Sequence, residues 1–104
     1  MRNINILPKI KQLVTSVDAT AQVYLYGSRA KGTERKDSDW DILILLKNDK
    51  ITPELESRFT YPLYDLEFDT GEIISPTVYS LNDWNTKYRQ TSFYQNVMKT
   101  GKPI

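Results

Sequence analysis

The sequence predicts an α+β domain, a small β-sheet with helices packed on it. Three observations carry that expectation. Apolar residues recur at helical spacing near the N-terminus, three short β-prone runs are separated by turns or a helix, and two short helical patterns close the chain. At 104 residues, with 39% apolar and 26% charged side chains, one soluble domain spanning 1–104 is expected.

Ile6, Leu7, Ile10, Leu13, Val14 and Val17 repeat every three or four residues, so roughly residues 1–17 read as an amphipathic helix. Pro8 fits its first turn, where a missing N–H costs nothing. Ala21 to Tyr26 is a β-prone run stopped by Gly27. Trp40 to Leu46 is apolar on both faces and therefore expected in the middle of a sheet. Lys47 to Pro53 is a polar turn. Glu54 to Phe68 carries Leu55, Phe59, Leu63 and Leu66 as a second helix, which Pro62 should kink or divide. Glu72 to Tyr79 is a third strand, and Pro76 within it points to a sheet edge. Ser80 and Asp83 resemble a capping box for a short helix running through Trp84 and Tyr88. A last helix, from about Ser92 to Thr100, meets Gly101 at its C′ position.

Composition removes several chemistries. With no cysteine and no histidine, thiolate sites, cysteine nucleophiles, histidine bases and ordinary zinc sites are excluded. A bound metal would need oxygen ligands, which favours magnesium, manganese or calcium. The net charge of +1 offers no global signal for nucleic acid or an anionic membrane. No apolar stretch suits a signal peptide or a membrane span, so the cytoplasm is the expected compartment.

The chemistry concentrates in "LYGSRAKGTERKDSDWDILILL", Leu25 to Leu46. In a strand, residues two apart share a face, so Asp39 and Asp41 point the same way, roughly 7 Å apart. At that separation and an effective dielectric near 20, the two charges repel by about 2–3 kcal/mol. A cation between them removes the repulsion. Magnesium suits such a pair, because it keeps waters and takes further ligands from phosphate. Two ions about 3.5–4 Å apart would stabilise the attacking and leaving oxygens of a phosphoryl or nucleotidyl transfer.

Upstream, Gly27 lets the backbone turn sharply and approach a ligand closely. The N–H groups that follow, the Ser28 hydroxyl, Arg29 and Lys31 are candidate donors to phosphate oxygens. Other motifs fail. A P-loop needs Lys and then Ser or Thr after its second glycine, where this chain has Thr33 and Glu34 after Gly32. An EF-hand begun at Asp37 would place Ile42 at the glycine position and Asn48 at the bidentate glutamate.

Gly-Ser, ten residues, Asp-x-Asp and then an apolar run resembles the signature of the DNA polymerase β-like nucleotidyltransferase superfamily. The wording "YGSRAKG…SDWDILI" and the short chain are similar to the minimal nucleotidyltransferases (MNT proteins), the MntA-type antitoxins among them. The resemblance implies a mixed sheet flanked by helices, the polymerase β-like palm. It also implies one or two Mg2+ ions at Asp39 and Asp41, and a nucleoside triphosphate, usually ATP, held by Gly27, Ser28, Arg29 and Lys31. The resemblance also implies a helical HEPN-type partner, beside which such members are often encoded. In some of these toxin–antitoxin pairs the MNT protein transfers AMP to a tyrosine hydroxyl of the toxin.

The family's third carboxylate normally lies inside the next core strand. Here "GEIISPTVYS" has Ser75 and Thr77 in its middle, and its one acid, Glu72, stands at its start. By that resemblance Glu72 is the candidate third carboxylate, completing the metal site with the catalytic pair Asp39 and Asp41 and assisting deprotonation of the attacking hydroxyl; otherwise Asp65, Glu67 or Asp69 would have to reach in. Trp40 reads as core rather than as a nucleotide-stacking ring. Trp84, Tyr88, Phe93 and Tyr94 read as core packing, with part of that segment available to a partner. Tyr24 and Tyr26 read as structural. Two other functions stay open. One is a catalytically weak homologue acting as a partner-binding antitoxin. The other is a small-molecule, antibiotic-type adenylyltransferase whose acceptor pocket a partner or homodimer would supply.

Overall fold

The structure, a computed structural model, describes residues 6–104. Helix α1 spans Ile6–Val17 and buries Ile6, Ile10 and Val14, one every four residues. The part of the expected first helix before Ile6 lies outside the described residues. Strand β1 spans Gln22–Tyr26, a single helical turn α2 spans Ser28–Lys31, and strand β2 spans Trp40–Leu46. Helix α3 runs from Pro53 to Thr70, strand β3 from Ile74 to Ser80, α4 from Leu81 to Asn85 and α5 from Ser92 to Thr100. Strand β4, Lys102–Pro103, completes the order.

The four strands lie in the order β3-β2-β1-β4. β1 pairs antiparallel with β2 and with β4, whereas β2 and β3 are parallel, joined across α3. The sheet is therefore mixed, with β2 inside it and the Pro76-bearing β3 at an edge, as the sequence leads one to expect. Ile42 to Leu46 are each at most 2% exposed. Burying such a side chain contributes about 1.5–3 kcal/mol, so this strand anchors both layers.

Alternation along β2 divides the core in two. Ile42, Ile44 and Leu46 join Val23, Leu25, Ile74 and Val78 beneath α1 and α3. Leu43 and Leu45 join Trp84 and Val97 on the opposite face, under Tyr79, Tyr88, Phe93 and Tyr94. The Tyr79 and Tyr88 rings stack with centroids 4.6 Å apart, and Trp84 meets Phe93 edge-on at 5.4 Å. Within the C-terminal aromatic segment Trp84 is core, and Tyr88, Phe93 and Tyr94 are half-buried against it.

Several boundaries differ from the expectation. Pro62 does not divide α3, which continues for 18 residues. Phe59, Leu63 and Leu66, on either side of the proline, are anchored in one buried face, and Thr52 caps the helix by accepting the Leu55 N–H at 3.1 Å. β3 starts at Ile74, two residues later than expected, which leaves Glu72 outside the strand. The helix after Ser80 ends at Asn85, with Tyr88 in the following turn, although the Ser80 cap is present and accepts the Asp83 N–H at 3.0 Å. Gly101 ends α5 with φ −69°, not in the left-handed region; a Cβ there would collide with the Val97 carbonyl oxygen. The chain then pairs with β1, and the Ile104 N–H donates to the Val23 carbonyl at 2.9 Å. This last strand was not expected.

Candidate active site

The register of the sheet assembles the site. Tyr26, the last residue of β1, lies opposite Asp41, and Asp41 lies beside Ser75 of β3. Immediately beyond Tyr26, Gly27 adopts φ +76°, in the left-handed region, and its carbonyl accepts the N–H groups of Ala30 and Lys31 at 3.1 Å to start α2. A Cβ on Gly27 would run into the Asp41 carboxylate, with the Cγ only 3.1 Å away. The turn at the end of β1 and the acid of β2 therefore abut, and only glycine satisfies both the dihedral and the space.

Asp39 precedes the first residue of β2 and is exposed; Asp41 is half-buried. The Ser75 hydroxyl donates to Asp39 Oδ2 at 3.1 Å, while Ser75 is the register neighbour of Asp41. Both acids consequently border the Ser75 side of the sheet. Burial raises the pKa of Asp41, and the Asp39 charge raises it further. Tyr26 stands across from Asp41. Burial raises its phenol, a hydrogen bond with the Thr77 side chain opposes that, and the Asp41 charge adds to it. Oxygen donors thus converge from three strands: carboxylates from the entry to β2, hydroxyls from β3, and a phenol from β1. This donor set fits a hard divalent cation such as magnesium.

Glu72 and Arg29 contact Trp40 and Ser38, the residues that adjoin Asp39 and Asp41 in sequence. Glu72 is buried; its carboxylate accepts the Trp40 indole N–H at 2.9 Å and lies 3.7 Å from the Arg29 guanidinium. It borders a cavity of about 230 Å³ with Lys36, Asp37 and Ser38. Among the described residues no group of three acids that could hold a metal forms, so Glu72 does not join Asp39 and Asp41. The physical reason is the late start of β3, which leaves Glu72 in the α3–β3 connection beside Trp40. Asp65 and Asp69 are exposed on α3, and Glu67 accepts the Ile74 N–H at 2.8 Å.

Arg29 faces the loop that leads into Asp39. Its Nε and one terminal nitrogen donate to the Ser38 carbonyl at 3.1 and 2.9 Å, and its guanidinium lies 4.1 Å from the centre of the Trp40 ring. Lys31 is exposed on α2. Ser75, Thr77 and Tyr26 are the site members that sequence reasoning did not select. The alternation of β3 places Ser75 and Thr77 on one face, but only the register with β2 brings that face to the acids.

The family profile described as polymerase beta, nucleotidyltransferase, matches residues 8–104. The chain belongs to this nucleotidyltransferase family. No curated relative matches it by sequence. Among solved structures, it is similar to a crystal structure of a toxin–antitoxin with AMP-PNP, at 21% identity and a TM-score of 0.66, over 92% of this chain and 69% of the other. It is also similar to the toxin–antitoxin MntA-HpeT with a tyrosine-to-alanine change, at 21% identity and a TM-score of 0.62, over 98% and 72% of the two chains. A third match is MntA-HpeT with two aspartate-to-glutamate changes, at 18% identity and a TM-score of 0.64, over 92% and 69%. These likenesses establish the polymerase β-like fold. No helix among the described residues is long and apolar enough to cross a membrane.

Proposed function

We propose that this chain is a magnesium-dependent adenylyltransferase that moves AMP from ATP to a hydroxyl of a protein partner, a tyrosine of a HEPN-type toxin. One observation carries the reading. The Gly27 turn and the Asp41 carboxylate abut, so a triphosphate lying on the turn would meet the acids directly. Asp39 and Asp41 hold the metal, and Gly27, Ser28 and Lys31 contact the triphosphate. Bound there, the cation supplies charge neutralisation for the phosphates.

The chain's own contribution is positioning. The open turn at Gly27 lets backbone come close to phosphate oxygens, and Ser28 adds a hydroxyl donor. Ser75 holds Asp39 from the side. In the reaction the acceptor oxygen bonds to the α-phosphorus as the bond to the bridging oxygen breaks. Pyrophosphate leaves, and the hydroxyl proton passes to solvent. The similarity to a toxin–antitoxin structure containing AMP-PNP supports both the adenine nucleotide and the protein partner.

A second reading, a partner-binding antitoxin of weak activity, is favoured by the Ser75 and Thr77 hydroxyls standing where the resemblance leads one to expect an acid. Incubation with magnesium, ATP labelled at the α-phosphate and a co-purified partner separates the two. Under the first reading the partner gains label, and Asp39→Asn/Asp41→Asn abolishes it. Unlabelled partner that still binds the double variant would favour the second.

A further inference from the structure

The side chains of Arg29, Trp40 and Glu72 form a connected group beside the candidate site, and their partners are not the ones the local motif suggests. Arg29 belongs to α2, immediately after Ser28. Its guanidinium does not extend along that turn but crosses the loop to the Ser38 carbonyl, at 2.9 and 3.1 Å, and approaches the Lys36 carbonyl at 3.5 Å. Ser38 directly precedes Asp39. The guanidinium carbon also lies over the ring of Trp40, the residue between Asp39 and Asp41, at 4.1 Å from its centre. Glu72 closes the group, accepting the Trp40 indole N–H at 2.9 Å and facing Arg29 at 3.7 Å. The Trp40 backbone N–H donates separately to the Ile73 carbonyl at 2.8 Å, next to Glu72.

We infer that Arg29 and Glu72 are positioning residues: with Trp40 they brace the segment 36–41 against the Gly27–Ser28 turn and so set where Asp39 and Asp41 stand. This inference rests on the proposed metal–nucleotide site. The planar fork of arginine suits the role, because two of its nitrogens reach one carbonyl while its face covers an indole. Lysine offers a single point charge and cannot do both. Glu72 supplies the acceptor for the indole and the counter-charge for the guanidinium. Loss of either partner frees the backbone just before the acids, and groups that orient metal ligands commonly control affinity without touching the metal.

Two measurements on Arg29→Lys, Glu72→Gln and the double variant test this. The first is hydrogen exchange without metal. Faster exchange across 36–41 in both single variants, with β1 and β3 still protected, is the expected result; unchanged exchange there overturns the brace. The second is titration with Mn2+ alone, followed by electron paramagnetic resonance. About a tenfold weakening in each single variant is expected, with the double variant no worse than the weaker single. Arg29→Lys that keeps its full Mn2+ affinity would show that Arg29 does not position the acids. Effects that add in the double variant would make Glu72 a ligand in its own right. Either result overturns the inference. If the unaltered chain binds no Mn2+, the metal-site reading and the positioning role fall together, and the exchange result separates that outcome from failure of the brace itself.

Discussion

The two ends of β2 do opposite things with one short strand. From Ile42 to Leu46 every side chain is buried, whichever face it points to. At the entry, Asp39 is exposed, Trp40 and Asp41 are half-buried, and Asp41 lies between Tyr26 of β1 and Ser75 of β3, with Gly27 just past the end of β1. The buried end fixes the strand in register, which in turn fixes where the entry acids stand. Its stability is the reference against which the entry can carry two like charges and a glycine in the left-handed region. The difference teaches that this site is a polar margin held in place by an apolar strand, so changes at the two ends should separate folding from binding.

The largest effect on stability is expected at the buried end. Ile44→Ala leaves a void under α1 and α3 and should cost about 2–5 kcal/mol, read by urea denaturation. A loss below about 1 kcal/mol would mean that the strand is not the anchor described here. Gly27→Ala comes next and cuts across the comparison, since it forces a Cβ into the Asp41 carboxylate and a strained dihedral. It should cost about 1–3 kcal/mol and also remove metal-dependent nucleotide binding. Binding retained at full strength would show that the turn does not lie against the ligand.

The smallest stability effect has the opposite sign. Burial, and then the Asp39 charge, raise the Asp41 pKa above the ordinary 3.8 in the fold. The folded state therefore holds that proton more tightly than the unfolded chain. Stability from this group is present at low pH and falls as pH rises through the folded pKa. Asp41→Asn removes the penalty, so without metal the variant should melt higher at pH 7. The gain should shrink as pH falls through the raised folded pKa and be gone at and below the ordinary 3.8, where both states hold the proton. A melting temperature lowered at pH 7 would contradict the account of a strained, charged entry.

These expectations also show how far the sequence could be read. β2, the turn at Gly27 and the paired acids are local patterns, set by alternation, by one glycine and by a two-residue spacing, and they are visible without tertiary information. The continuity of α3 through Pro62 depends on Phe59, Leu63 and Leu66 all finding the same buried face, which no local rule contains. β4 is two residues long and includes a proline, too short for any periodicity. Arg29 and Glu72 were legible as charged residues near the motif, but their partners were not. Glu72 is 32 residues from Trp40 in sequence, and the pairing exists only because β3 lies beside β2 and starts at Ile74. Ser75, Thr77 and Tyr26 escaped for the same reason: their meeting with the acids is a matter of register.

The most direct test of the central claim is calorimetric titration of the purified chain with ATP, with and without magnesium, beside Asp39→Asn/Asp41→Asn. Binding that needs the metal and disappears in the double variant, while the variant keeps its fold, is the predicted result. Equal binding by the two proteins, or binding indifferent to magnesium, would contradict a metal–nucleotide site at the entry to β2.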